Sequence, residues 1–197
     1  MTQLIIPTLK NQSEDILFPK KECFYPKILT EINGEALLRK VLKNILFNIE
    51  ISSIILISEK EVLKKYSLEK VCYFNDSPKV KTVGVEGSTK GALCTVLMGI
   101  DLINKNEDIL VANNDIIHNH NIQKSVDYFK NNNAEAGVVT FSSAHPKWSY
   151  VLLKNNQVIK AAEKEVISEN AIAGLYWFKN GENMIAMAKD CILNMFH

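Results

Sequence analysis

Asp115 is the first residue of this 197-residue chain whose type and position could do chemistry. It follows an unbroken apolar run, Ile109-Leu110-Val111-Ala112, and an Asn113-Asn114 pair that reads as the exit of a buried strand. A run that is apolar at every position predicts a strand covered on both faces, as in a parallel sheet. Ligands of open α/β sheets sit beyond the carboxyl ends of the strands, where a carboxylate can hold a hard divalent cation against phosphate oxygens. An Asp at a strand exit is equally a cap or turn residue, so position alone leaves both readings open. A second candidate is the segment from Pro7 to Pro26, which is polar, punctuated by proline and without period. Loops longer than about 12–15 residues inside a compact domain are usually functional or disordered, so ligand contact is sought there first.

The elements that must position these residues alternate along the chain. Gln3–Ile6 reads as a short buried strand ending at Pro7. Leu37, Leu38, Val41, Leu42, Ile45, Leu46 and Ile49 form one helical stripe, with Arg39, Lys40, Lys43 and Asn44 opposite. Strands are predicted at Ser53–Ile57, Val71–Phe74 and Val80–Val85, with a short helix at Glu59–Tyr66. After the turn Glu86-Gly87-Ser88-Thr89, Ala92, Leu93, Val96, Leu97, Ile100 and Ile103 keep the helical period, and Ser88 or Thr89 is the predicted N-cap. Beyond Asp115 come a helix at Ile122–Lys130 and a strand at Ala136–Phe141. Tyr150–Leu153 and Val158–Ala162 flank Asn155-Asn156, a pair suited to a tight hairpin turn with positive φ. A strand at Ala171–Phe178 and a helix at Met184–Cys191 close the reading. Alternation followed by hairpins predicts an α/β domain, a mostly parallel mixed sheet between two helical layers. Length fits one domain over residues 1–197.

Composition excludes several classes of function. Hydrophobic residues make up 47% and charged residues 23%, without collagenous or disordered bias. The net charge of +1 offers no basic stripe, so nucleic acid is not the expected partner, and a phosphate ligand must be met by local charge. Cys23, Cys72, Cys94 and Cys191 lie too far apart for CxxC zinc or redox chemistry and are expected as free thiols. The N-terminus lacks a basic leader and a signal-length apolar stretch, and Ile45–Ile57 is too short and polar to span a bilayer. A cytoplasmic location without membrane association is the expectation.

Several segments together resemble a known family, the GT-A-fold nucleotidyltransferases that make activated sugars, in particular the small bacterial branch found with capsule and lipopolysaccharide genes. Pro26-Lys27-Ile28-Leu29 with Ile32-Asn33-Gly34 resembles its Pro-Lys-x-Leu…Gly element, Thr89-Lys90-Gly91-Ala92-Leu93 its nucleotide-base segment, and Leu110–Asp115 its metal-binding strand end. His145-Pro146-Lys147-Trp148-Ser149-Tyr150, Ala162-Glu163-Lys164 and Ala173-Gly174-Leu175-Tyr176 resemble the acceptor-side elements in their usual order. The resemblance implies transfer of a nucleoside monophosphate from a nucleoside triphosphate to a sugar 1-phosphate or similar phosphorylated or phosphono acceptor. It implies Lys27 and Asp115 as catalytic, Asp115 as the Mg²⁺ ligand, and Pro7, Thr8, Leu9, Thr89, Gly91, Ala92 and Asn114 around the nucleotide. Lys147, Tyr150, Glu163, Lys164 and Gly174 would face the acceptor, and a homo-oligomer is compatible. Read locally, Lys27, Glu163 and Lys164 are surface charges, and Trp148 and Tyr150 are equally packing residues.

Two departures leave competing readings. Where the family carries Gly-x-Gly-x-Arg, this chain has Thr8-Leu9-Lys10-Asn11-Gln12-Ser13. Without glycine the backbone cannot freely form an anion nest, so Lys10, Lys20 or Lys21 would have to meet the triphosphate. Family members also continue for several dozen residues past the last helix, into a segment that completes the acceptor site. A relative that binds nucleotide or phosphosugar without turnover is therefore the alternative. A GT-A glycosyltransferase ranks third, because Asn113-Asn114-Asp115 offers one carboxylate where those enzymes present Asp-x-Asp.

Overall fold

The computed structural model of the chain describes residues 1–9, 25–74 and 77–194. Along the sequence it places β1 (Thr2–Pro7), β2 (Glu31–Ile32), β3 (Glu35–Ala36), α1 (Leu37–Asn48), β4 (Ile51–Glu59), α2 (Lys60–Tyr66), α3 (Leu68–Cys72) and β5 (Lys79–Val85). There follow α4 (Ala92–Leu97), β6 (Asp108–Ala112), α5 (Ile122–Asn131), β7 (Ala136–Ser142), β8 (Tyr150–Lys154), β9 (Gln157–Ala162), β10 (Asn170–Phe178) and α6 (Gly181–Asn194). The predicted α/β architecture is present: a mixed, mostly parallel core sheet lies between two helical layers.

Sheet order is β5-β4-β1-β6-β10-β8-β9, with β7 also paired to β10. β5, β4, β1 and β6 run parallel, and β10 is antiparallel to β6, β7 and β8. The middles of the central strands are apolar on both faces because each face has its own helices. Leu4, Ile6, Ile54, Leu56, Leu110, Ala112, Leu175 and Trp177 point into the core shared with α1, α3 and α5. Ile5, Ile55, Ile57, Ile109 and Val111 point into the core shared with α4 and α6. Alternate residues of one strand thus serve opposite layers.

Three elements differ from the sequence reading. Val71–Phe74 is not a strand: α3 ends at Cys72, and Tyr73 and Phe74 are irregular. Leu68 and Cys72, four apart and both fully buried, set a helical period there, and Ser67 in the left-handed region (φ 48°) separates α3 from α2. The helix after Gly91 stops at Leu97 rather than running to Ile103. Gly99 packs against Ile55 and Ile57, and the tighter turn Ile100–Leu102 keeps the apolar residues on the same face. Its N-cap is Gly91, not Ser88 or Thr89. A small hairpin, β2–β3, also turns on Asn33 (φ 51°) and Gly34 (φ 79°).

The predicted β8–β9 hairpin forms with Asn155 and Asn156 at φ 51° and 61°. Cys72, Cys94 and Cys191 are free thiols, and Cys23 lies outside the described residues. No helix among the described residues is long and apolar enough to cross a membrane.

Candidate active site

Parallel pairing brings the carboxyl ends of β1, β4, β5 and β6 to one edge of the sheet, and the residues singled out around Lys27 and Asp115 gather there. Lys27 opens the 3-10 turn Lys27–Leu29, which is fixed by Leu29 N–H to Pro26 O (2.8 Å) and Thr30 N–H to Lys27 O (3.0 Å). Ile28 anchors that turn by burying its side chain in the core with α1. Lys27 Nζ then reaches across 88 residues of sequence to donate to Asp115 Oδ2 at 2.6 Å. The side chains keep 37% and 28% of their surface exposed, so the pair is screened and open to a ligand rather than sealed in the core.

The chain on either side of Asp115 is tied down by hydrogen bonds. Asn114 Nδ2 donates to Pro7 O at 2.9 Å, which ties the exit of β6 to the exit of β1. Thr8 continues that edge, with its N–H and its hydroxyl both donating to Ile57 O, at 2.7 and 3.0 Å. Asn113 N–H donates to Gly174 O at 2.8 Å. Beyond Asp115, Asn44 of α1 clamps the chain: its Nδ2 donates to His118 O (2.9 Å) and its Oδ1 accepts from His118 N–H (2.8 Å). The His118 ring is buried and meets His120 edge to face at 5.4 Å. Burial, and secondarily the neighbouring His120, push the His118 imidazole down to about 4.

Gly174 marks where the sheet divides. β10 pairs with β6 through Leu175–Phe178, but its contact with β8 is at Ala171 and Tyr150. The changeover falls at Ala173-Gly174, and Gly174 takes φ 68° with its would-be Cβ 2.5 Å from Asn113 Nδ2. Only glycine suits that position. The exit of β6 therefore lies where β10 changes partner.

Several of the sequence-predicted residues line one of two cavities. Thr8, Leu9, Pro26, Lys27 and Asn114 line one small cavity of about 30 Å³ together with Glu59 and Val62. Pro7, Ala92 and Asn113 line a second cavity of about 340 Å³, so the exposed Gly91-Ala92 turn approaches the same edge from the α4 side. Gly91 has φ 111°, and the Thr89 hydroxyl contacts Gly91 O (3.2 Å) and Thr95 Oγ1 (2.6 Å). Glu163 and Lys164 are exposed, and Lys164 takes the left-handed φ of 54°. Tyr150, read from the sequence as facing the acceptor or as a packing residue, is fully buried, and its hydroxyl donates to His145 O at 2.8 Å. Lys147 lays its ammonium over the Trp148 ring, 4.3 Å from the centroid. Lys10, Lys20 and Lys21 lie outside the described residues. A larger groove of about 720 Å³ lies between α5 and the β8–β9 hairpin, lined by neither Lys27 nor Asp115.

A family model described as nucleotidyl transferase matches residues 17–191, well over half of the chain. The chain belongs to the nucleotidyl transferase family. No curated protein matches it. Among solved structures, a Bacillus anthracis protein assigned as a glucose-1-phosphate thymidylyltransferase, in complex with a sucrose, aligns with TM-score 0.75 at 19% identity, covering 95% of this chain and 74% of that one. A nucleoside-diphosphate-sugar pyrophosphorylase from Vibrio cholerae aligns with TM-score 0.76 at 18% identity, over 96% and 78%. A UDP-glucose pyrophosphorylase complexed with UDP-glucose aligns with TM-score 0.70 at 16% identity, over 91% and 76%. These likenesses establish a shared fold.

Some contacts around the Lys27–Asp115 pair are not legible in the sequence. Asn44 was placed on the polar face of α1, yet it clamps a loop 74 residues away. His118 carries no signal in the sequence, and Asn113 and Tyr176 stand out only as members of the longer segments that carry the family resemblance. Their partners are remote in sequence, and no local period marks them.

Proposed function

We propose that the chain transfers a nucleoside monophosphate from a nucleoside triphosphate to a small phosphorylated acceptor, such as a sugar 1-phosphate, and releases pyrophosphate. The observation that carries this reading is the convergence of Lys27 and Asp115 at the carboxyl edge of the sheet, 2.6 Å apart and solvent-accessible. An acceptor phosphate oxygen attacks the α-phosphorus, the bond to the β-phosphate oxygen breaks, and that oxygen leaves with its electron pair as pyrophosphate. The protein's part is alignment and neutralisation of charge. Lys27, a cation on a flexible stem at the end of a fixed turn, would give up Asp115 for the phosphates.

Asp115 fits a hard divalent cation such as Mg²⁺ as a single carboxylate ligand. No cluster of three metal-ligating side chains gathers among the described residues, so phosphate oxygens and water would complete the coordination. When bound, the ion would neutralise phosphate charge. The resemblance to the capsule and lipopolysaccharide branch extends the reading to surface-glycan synthesis. The glycine-free segment Thr8–Ser13 favours a second reading, binding without turnover.

Pyrophosphate release across nucleoside triphosphates and phosphorylated acceptors tests the proposal. Wild type is expected to exceed Lys27→Ala and Asp115→Ala by about 100-fold or more. Equal background in all three proteins removes the transferase reading. Calorimetry with nucleoside triphosphate and Mg²⁺ then separates binding from no interaction.

A further inference from the structure

An exposed ion pair is too weak to hold two loops in register, so the 2.6 Å approach of Lys27 to Asp115 is set by what carries each residue. One helix carries both. At its N-terminal end α1 is tied to the Lys27 turn: Leu37 N–H donates to Thr30 O at 2.9 Å, and Thr30 N–H donates to Lys27 O at 3.0 Å. Ile28 of that turn is buried in the same core as Leu37, Leu38 and Val41. Glu35 is paired with Arg39, Lys40 and Lys43, so the β2–β3 hairpin between Thr30 and Leu37 folds back on the helix.

About two turns further along, roughly 10 Å of stiff rod, Asn44 makes the second tie. A side-chain amide offers a donor and an acceptor at once, and Asn44 spends both on the backbone of His118. One hydrogen bond leaves a loop free to swing about it, whereas two opposed bonds on one residue fix its position and its orientation. On the other side of Asp115, Asn113 N–H is held by Gly174 O and the Asn114 amide by Pro7 O. Asp115 therefore stands in a short span pinned at both ends, one of them by α1. Asn48, one turn beyond Asn44 and also half-buried, supplies the contrast, because its amide donates to Asn44 O inside the helix.

We infer that α1 is the frame that sets the Lys27–Asp115 spacing, and that Asn44 is a positioning residue acting through Asp115. The catalytic consequence rests on the transferase reading above: groups that align a triphosphate lose about 100-fold in rate when displaced by about 1 Å.

The test follows the side-chain ammonium signal of Lys27 in the ¹⁵N-lysine-labelled full chain, assigned through Lys27→Met, together with pyrophosphate release. Asn44→Ala is expected to move that signal to its position in Asp115→Asn and to lower kcat by about tenfold or more. Asn48→Ala is expected to leave the signal in place and kcat within about twofold of wild type. Added to Asp115→Asn, Asn44→Ala should move the signal no further, a result that general loosening of the fold would not reproduce. Should Asn44→Ala fail to fold, Asn44→Asp, which keeps an acceptor for the His118 N–H but loses the donor to His118 O, carries the same comparison. A Lys27 signal unmoved by the Asn44 variants, or moved equally by Asn48→Ala, overturns the inference and leaves the transferase reading intact. A signal displaced by the Asn44 variants alone, in a protein that releases no pyrophosphate with any acceptor, upholds the frame and removes the transferase reading instead.

Discussion

Lys27 and Asp115 neutralise one another across 2.6 Å, yet the energetic return on that contact is small. Exposed ion pairs contribute about 0–1 kcal/mol, since water and salt screen the attraction and two side chains lose freedom to make it. A pair worth so little to the fold is readily separated by a ligand that offers each charge a better partner. Stability and activity should therefore part company at these positions. Lys27→Met and Asp115→Asn are each expected to unfold in urea within about 1 kcal/mol of wild type while losing pyrophosphate release almost completely. A loss of several kcal/mol would assign the pair a structural role.

Glycine carries two of the tightest approaches between elements, and they have different consequences. At Gly174 the strand changes partner from β8 to β6 with φ 68°, and a Cβ there would stand 2.5 Å from Asn113 Nδ2 and 2.8 Å from Ile116 Cδ1. Gly174→Ala is expected to cost about 2–4 kcal/mol, summing left-handed strain and overpacking, and to displace Asn113 at the exit of β6. At Gly137 of β7 a Cβ would stand 2.6 Å from the Phe129 ring, which itself stacks on Trp177 at 5.6 Å. Gly137→Ala is expected to destabilise in urea to a similar extent. Because that contact lies on the α5 side, away from Lys27 and Asp115, its folded fraction should keep wild-type KM for the acceptor, whereas that of Gly174→Ala should not. Equal KM in the two variants would detach Gly174 from the site.

Across the whole molecule, what the sequence made legible was whatever depends on side-chain period. The stripe from Leu37 to Ile45, the runs at Ile54–Ile57 and Ile109–Ala112 and the Asn155-Asn156 turn each carry their conformation locally, and together they imply the layered sheet. The strand expected at Val71–Phe74 gives way to a helix at Leu68–Cys72 because five helical residues offer one turn of period, too short to tell from a strand. The Asn44 clamp was invisible because Asn44 and His118 meet only once α1 has docked on the sheet. Burial of the His118 ring gives the fold a pH dependence with a definite sign. Burial holds the His118 imidazole at about 4, against about 6.5 in the unfolded chain. Between those values the unfolded state binds a proton that the folded state refuses, so stability falls as pH drops from about 6.5 to about 4 and then levels off in this contribution. The full difference amounts to about 3 kcal/mol, a large share of the margin of an ordinary domain. Urea unfolding at pH 7 and pH 4.5 is expected to show wild type losing more stability than His118→Gln, with the carboxylates common to both. Parallel losses in the two proteins would mean that the buried imidazole does not set the acid limit of the fold.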